Sequence, residues 1–368
     1  MLPEFTLASA PRGHRLAAIA ALAYSLVIIY ASLQPFTGWR MSPEPFGAFL
    51  SAPWPRWITV DDVLFNFAAY VPFGFLLALS QLRRLSAMAA VLLSAVACIA
   101  LSLSLESLQQ YLSPRFASNV DLLVNSIGGT VGALIAPVFS PQQRPGQALA
   151  QLRYRWFMVG PRGDMVLVLA GLWLVAQMHV PLITLGSGDL RGILGFGELF
   201  PYSPDAYLLA EAGVVALNTA GLGLLLAAAS RNTDFGYWRA LVLLIAGACA
   251  IKTVIAVLLL DASRPWSWWT PGLGMGLAAA LIVLPLLKRL SYRGRSAAAL
   301  LALVAAVVLV NGMPENPYRI APAHLLTGRT SHFLSFAGMT RALSDLWPFL
   351  AMLFLLLSLP WRHAADPD

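Results

Sequence analysis

Charge is scarce in this chain. Only 11% of its 368 residues are Asp, Glu, Lys or Arg, against about a quarter in ordinary soluble domains. A water-facing surface cannot be built from so few charges. Lysine is rarer still, with Lys252 and Lys288 alone. The two cysteines, Cys98 and Cys249, each lie in the middle of an apolar run. That placement excludes a disulfide framework and a cysteine metal motif, and both read as small buried hydrophobes. No nucleotide-binding loop or haem motif occurs, so ATP use and redox chemistry find no support and no cofactor is expected. His324 and His332 stand eight apart with no third ligand nearby, so no metal site is assigned.

What is abundant is oil. Hydrophobic residues make up 58% of the chain, in runs long enough to cross a bilayer, which needs about 20 residues. Ten spans are expected, near 16–33, 62–81, 86–105, 120–137, 165–183, 206–229, 239–260, 271–287, 296–313 and 344–360. The fold class is therefore all-α, a polytopic transmembrane bundle. The short alternating strands of an outer-membrane barrel are missing. The first run is too long for a signal-peptide core and lacks a well-placed cleavage site, so it reads as the first span.

The net charge of +7 does not point to nucleic acid, because the basic residues sit in short loops between apolar runs. Counted by side, 15 fall on the face that holds both termini and 8 on the other, with Lys252 inside a span. The richer side is expected to be cytoplasmic, which puts residues 106–120 outside.

The spans also hint at duplication. Gln34-Pro35, His179-Val-Pro181 and Asn311-Gly-Met-Pro314 close the first, fifth and ninth, and Cys98 and Cys249 lie 151 positions apart. A 4+4+2 arrangement follows. Residues 1–140 form a four-helix domain, 141–164 a cytoplasmic linker, 165–290 a degenerate second repeat and 291–368 a two-helix partial repeat.

Against this background one stretch stands out, LESLQQYLSPRFASNVDLLVNSIGG at 105–129. The second span opens Asp62-x-x-x-Asn66 and the fourth Asp121-x-x-x-Asn125, a spacing that puts each Asp above its Asn on one helix face. Below Asn125, Gly128 and Gly132 continue that stripe and allow a close helix approach. Pro72, with Gly74 beside it, interrupts the second span. The third span delivers Glu106 and Gln109 at its outer end, and Arg115 sits in the turn that follows. The candidate site is thus Asp62, Asn66, Glu106, Gln109, Arg115, Asp121 and Asn125. An acidic residue at a helix start is explained by the helix dipole, but amides one turn deeper need partners. Two readings stay open: a closed clamp between helices, with Arg115 neutralising the carboxylates, and an accessible polar site.

Residues 61–137 resemble the VanZ-like family, named for an accessory protein of teicoplanin resistance. The resemblance rests on Asn66 with Pro72-x-Gly74, Glu106-x-x-Gln109, Arg115, and Asp121-x-x-x-Asn125-x-x-Gly128, and Ser-Leu-Gln-Pro-Phe at 32–36 extends it to about residues 16–137. Ser118 stands where family members often carry a further acidic residue. The resemblance implies an envelope-associated protein of the bacterial inner membrane and supplies no catalytic assignment.

Outside that region, Glu211 and Lys252 lie within the sixth and seventh spans and are expected to pair. His179 reads as an interfacial histidine, and Trp266, Trp268 and Trp269 as an aromatic belt. Three function classes follow. One is a site for an envelope glycolipid, lipid-linked sugar or cell-wall precursor, passive or enzymatic. The second is a carrier or flippase, and the third a structural partner without ligand. Membrane lipids are the expected partners in each.

Overall fold

The computed structural model describes residues 13–34, 36–42, 44–55, 58, 60–113, 115–179, 185–194, 197–230, 234–257, 265–266, 268–314 and 331–358. Arg56, Pro114 and His324 lie outside the described residues. The described chain is helical, with isolated bridges in place of strands. Eight of its helices are long and apolar enough to cross a membrane, and the protein is a multi-pass helical membrane protein. The chain divides into two compact units.

The first unit is built on α1 (Gly13–Leu33), α2 (Val60–Gln81), α3 (Ala87–Gln109) and α4 (Asn119–Ile135). α4 packs against α2 and α3, and α1 against α2 and α3. The seam between α2 and α4 is set by small residues. A Cβ on Gly74 would overlap the backbone of Gly129, and one on Gly132 would overlap the Val71 carbonyl. Only hydrogen fits at these crossings, which is how two apolar helices gain contact when lipid is as oily as leucine. α2 continues through Pro72. Serines open the next two helices. Ser86 Oγ accepts from Ala89 N, and Ser118 Oγ accepts from Asp121 N, which satisfies backbone donors left over at each helix start.

The stretch 141–164, expected as a linker, contains a helix, α5 (Arg144–Trp156). Its Gln-Ala-Leu-Ala-Gln-Leu run is made of strong helix formers. Arg153 pairs there with the buried carboxylate of Asp164.

The second unit takes in most of the later helices: the end of α6 (Pro161–Ala176), α7 (Arg191–Leu194), α8 (Pro204–Ala229), α9 (Asp234–Ile255), α10 (Pro271–Leu287), α11 (Tyr292–Gly312) and the larger part of α12 (Ser331–Ser358). α8 is its central helix, unbroken in burial from Asn218 to Ala229, with α10 and α11 packed on it. α12 begins well before the expected 344.

The fifth span is the main departure from expectation. It was expected over 165–183, yet α6 stops at Ala176. Pro181 lacks an N–H and disfavours helix at the residue before it, so the sequence itself opposes continuation. Beyond it, residues 185–190 are non-helical, and the stretch 185–188 is buried. Buried backbone must find partners. Leu185 N–H donates to Gln177 Oε1, Gly188 N–H to Ser344 O and Leu190 N–H to Asn311 Oδ1, while Asn311 Nδ2 donates to Gly188 O. Ser187 Oγ donates to Asn218 Oδ1 at 2.7 Å.

Candidate functional site

The polar residues of the first unit gather where α1 and α3 end and α2 and α4 begin. At the centre, Asn66 Nδ2 donates to Asp121 Oδ1 at 2.9 Å. This bond joins the two Asp-x-x-x-Asn helices across their seam. Asp121 is buried, and Asn66 and Asp62 are half-buried. Glu106 reaches the same place from α3, where its Oε2 accepts the N–H of Ser118 at 2.9 Å. The residue that caps α4 is thus itself held by a carboxylate from the neighbouring helix.

One turn deeper, Asn125 Nδ2 donates to Ser102 Oγ at 3.0 Å. Ser102 also lies beside the Tyr70 hydroxyl of α2. Asn125 is 5% exposed, and its Oδ1 has no hydrogen-bond partner. A buried unsatisfied acceptor costs about 1–3 kcal/mol. The acceptor lies one turn below the Asn66–Asp121 bond, so the polar column runs inward from the helix ends and finishes on an open valence.

Arg115 and Gln109 do something different. Arg115 Nη2 donates to Gln34 O at 2.7 Å and to Ala31 O at 3.1 Å, and its Nε donates to Gln34 O at 3.0 Å. Gln109 Nε2 donates to Ser32 O at 2.9 Å. All these acceptors are carbonyls at the C-terminus of α1, where partial negative charge accumulates and helical donors have run out. Burial pulls the Arg115 guanidinium below its ordinary pKa, and the Glu106 carboxylate pushes it back up. Arg115 therefore fastens α1 through these hydrogen bonds, and Glu106 acts on it through charge.

The loop after α1 is tied to the same turn. Trp39 and Leu112 form a bridge, Arg40 N donates to Tyr111 O, and Ser113 N donates to Gly38 O. Gln110 Nε2 donates to Pro45 O at 2.8 Å, and Asn119 Nδ2 to Ala52 O at 2.7 Å. Trp39 and Trp54 remain half or more exposed on this loop, as expected of side chains at a membrane–water boundary.

The seven candidates thus fall into a cluster and a fastening. Asn66, Asp121 and Glu106 are linked directly and through Ser118, Asn125 bonds Ser102 one turn deeper, and Asp62 stands one turn above Asn66. Gln109 and Arg115 belong to the second. Sequence reasoning missed Ser102, Gln110 and the capping part of Ser118. Ser102 lies four residues before Glu106, so extending the polar face of α3 inward by one turn would have found it.

The site is a polar, acid-rich column at one end of a small-residue helix seam, and the comparison with known families bears on that segment alone. Residues 13–140 match the VanZ/LLP1 family. No curated protein and no solved structure matches the chain. The matched segment contains α1 to α4 and every residue of the cluster and the fastening. Glu211 and Lys252 lie outside it. In the second unit Glu211 Oε1 accepts from Thr270 Oγ1 at 2.9 Å, and Lys252 Nζ donates to the His179 carbonyl at 2.5 Å.

Proposed function

We propose that the VanZ/LLP1 segment is a receptor for the polar headgroup of an envelope glycolipid, lipid-linked sugar or cell-wall precursor, in the outer leaflet of a bacterial inner membrane. The basic bias of the loops supports cytoplasmic termini and an outward-facing cluster. The single observation that carries the reading is Asn125, buried with its Oδ1 unpartnered beneath the Asn66–Asp121 bond. A clamp would close its own valences, because an amide left open weakens it. A headgroup hydroxyl donating into the column would close this one. Carboxylates and amides suit hydroxyl-rich ligands, and exposed Trp39 and Trp54 match a cluster at headgroup depth. Through the family, a contribution to glycopeptide resistance or surface polysaccharide follows.

The test uses isosteric variants. Glu106→Gln and Asp121→Asn keep size and remove charge. At least one should keep wild-type membrane level and thermal stability while losing the envelope phenotype, read as glycopeptide sensitivity or surface polysaccharide. If every variant of normal stability also keeps full function, the cluster is a clamp.

The non-helical segment 185–190, buried over 185–188, favours a second reading, a carrier or flippase, since irregular backbone among membrane helices occurs at pathways as well as in packed cores. Reconstituted protein that moves no fluorescent lipid or small polar solute across liposomes would set that reading aside.

A further inference from the structure

The opposite end of the first unit holds a second polar feature that the family match does not explain. An open cavity of about 850 Å³ is lined by Arg15, Ser80, Gln81, Arg83 and Arg84 among others. Arg15 comes from the first turns of α1, Ser80 and Gln81 from the last turn of α2, and the other two arginines from the turn into α3. Fifteen residues of α2 separate Gln81 from Asn66, about 22 Å along the axis, so this is not the candidate site seen from another side.

Three guanidinium groups around one hollow repel each other unless an anion joins them. Asp164 acts on Arg15, but Arg153 already holds that carboxylate. Arg83 and Arg84 are exposed and form no ion pair among the described residues. Membrane insertion requires basic residues in such a loop, but it does not require them to converge on a concavity. Nor does it explain Gln81. Its Nε2 donates to Ser94 Oγ at 3.0 Å and to Leu77 O at 3.1 Å, while Oε1 is buried without a hydrogen-bond partner. The hollow therefore offers cationic donors to an anion, and Gln81, which also lines it, carries one unsatisfied acceptor just beneath its surface. Leu85, in the same turn, also lines the hollow and is exposed, and exposed Leu22 on α1 and Met88 on α3 suit acyl chains.

We propose that this cavity binds the headgroup of an anionic glycerophospholipid that carries free hydroxyls, as phosphatidylglycerol does. The arginines hold the phosphate through charge-assisted hydrogen bonds, and Gln81 Oε1 accepts from a glycerol hydroxyl. A phosphocholine headgroup fits poorly because it brings its own cation and no hydroxyl. The site is independent of the outer cluster and stands or falls without it.

The experiment measures the thermal midpoint of the full chain in neutral detergent with short-chain phosphatidylglycerol, short-chain phosphatidylcholine or inorganic phosphate. Ligand at about 100-fold over Kd should raise the midpoint by about 5–10 °C. Phosphatidylglycerol is expected to do this, phosphatidylcholine and inorganic phosphate are not, and the exposed double change Arg83→Gln/Arg84→Gln should remove most of the rise. Equal stabilisation by phosphatidylcholine, or a full rise retained by the double variant, overturns the proposal. A full rise with inorganic phosphate alone also overturns it and assigns the cavity to a soluble anion.

Discussion

Replacing Arg115 by methionine tests how the cluster end of the first unit is held together. The substitution keeps most of the length and apolar stem and removes the guanidinium. Two carbonyls, Gln34 O and Ala31 O, lose three donated hydrogen bonds, and Glu106 loses a nearby positive charge. Hydrogen bonds to charged groups contribute about 1.5–3 kcal/mol each, and the two to Gln34 O share one acceptor, so two full bonds are the sensible count. The side chain is 8% exposed, so solvent screening does little to reduce the figure. Removing one partner of a buried charged constellation costs about 3–5 kcal/mol, which agrees with two bonds. For a unit of this size each kcal/mol moves the midpoint by about 2–4 °C, so the expected fall is about 6–20 °C in a fluorescence melt of purified protein. Arg115→Lys should recover only part of it, because an ammonium cannot bridge both carbonyls in the fork geometry. A loss of under about 1 kcal/mol for Arg115→Met would show that α1 is not fastened this way.

Other outcomes follow from the same geometry. Gly132→Ala places a methyl group on the Val71 carbonyl and should destabilise by at least the 1–3 kcal/mol typical of overpacking. Gly171→Ala, where nothing lies within 4 Å, should be neutral or gain about 0.4–1 kcal/mol; equal effects would remove the close α2–α4 approach from the account. Asn66→Leu should lower the midpoint by breaking the bond to Asp121, and Asp121→Leu in the same background should add little, read as a double-mutant cycle. Glu211→Gln and Lys252→Met should be non-additive in detergent half-life if the two charges couple, and strictly additive losses would mean that they do not meet. A reporter fused after Asp368 should be active only in the cytoplasm, and activity on the other face would reverse the orientation.

Much of this fold is legible in the sequence, for reasons that differ by feature. Apolar runs of bilayer length show where helices lie, because lipid leaves the backbone few other ways to satisfy itself. The Gly128–Gly132 stripe foretells a close neighbour, since nothing else explains small residues at that spacing. The Asp-x-x-x-Asn pairs foretell a shared face, although only the structure joins Asn66 to Asp121. Arg115 was harder. Its partners are backbone carbonyls of α1, and a carbonyl leaves no trace in residue identity. The shortened α6 was half legible: Pro181 marks a stop, but the apolar residues around it read as span. Besides Gln177, what ties down 185–190 is side chains more than 30 or more than 100 residues away, Asn218 and Asn311, and such pairings cannot be read from local pattern.

Whether the Asn66–Asp121–Glu106 cluster receives a headgroup is tested most directly by native mass spectrometry of the full chain extracted gently from its own membranes. The wild-type protein is expected to carry a lipid with a sugar or cell-wall precursor headgroup. Asp121→Asn should lose that mass while keeping its thermal midpoint within about 2 °C of wild type, roughly 0.5–1 kcal/mol. A wild-type protein that carries only bulk phospholipid, or an Asp121→Asn variant that keeps the glycan lipid undiminished, would contradict headgroup binding there.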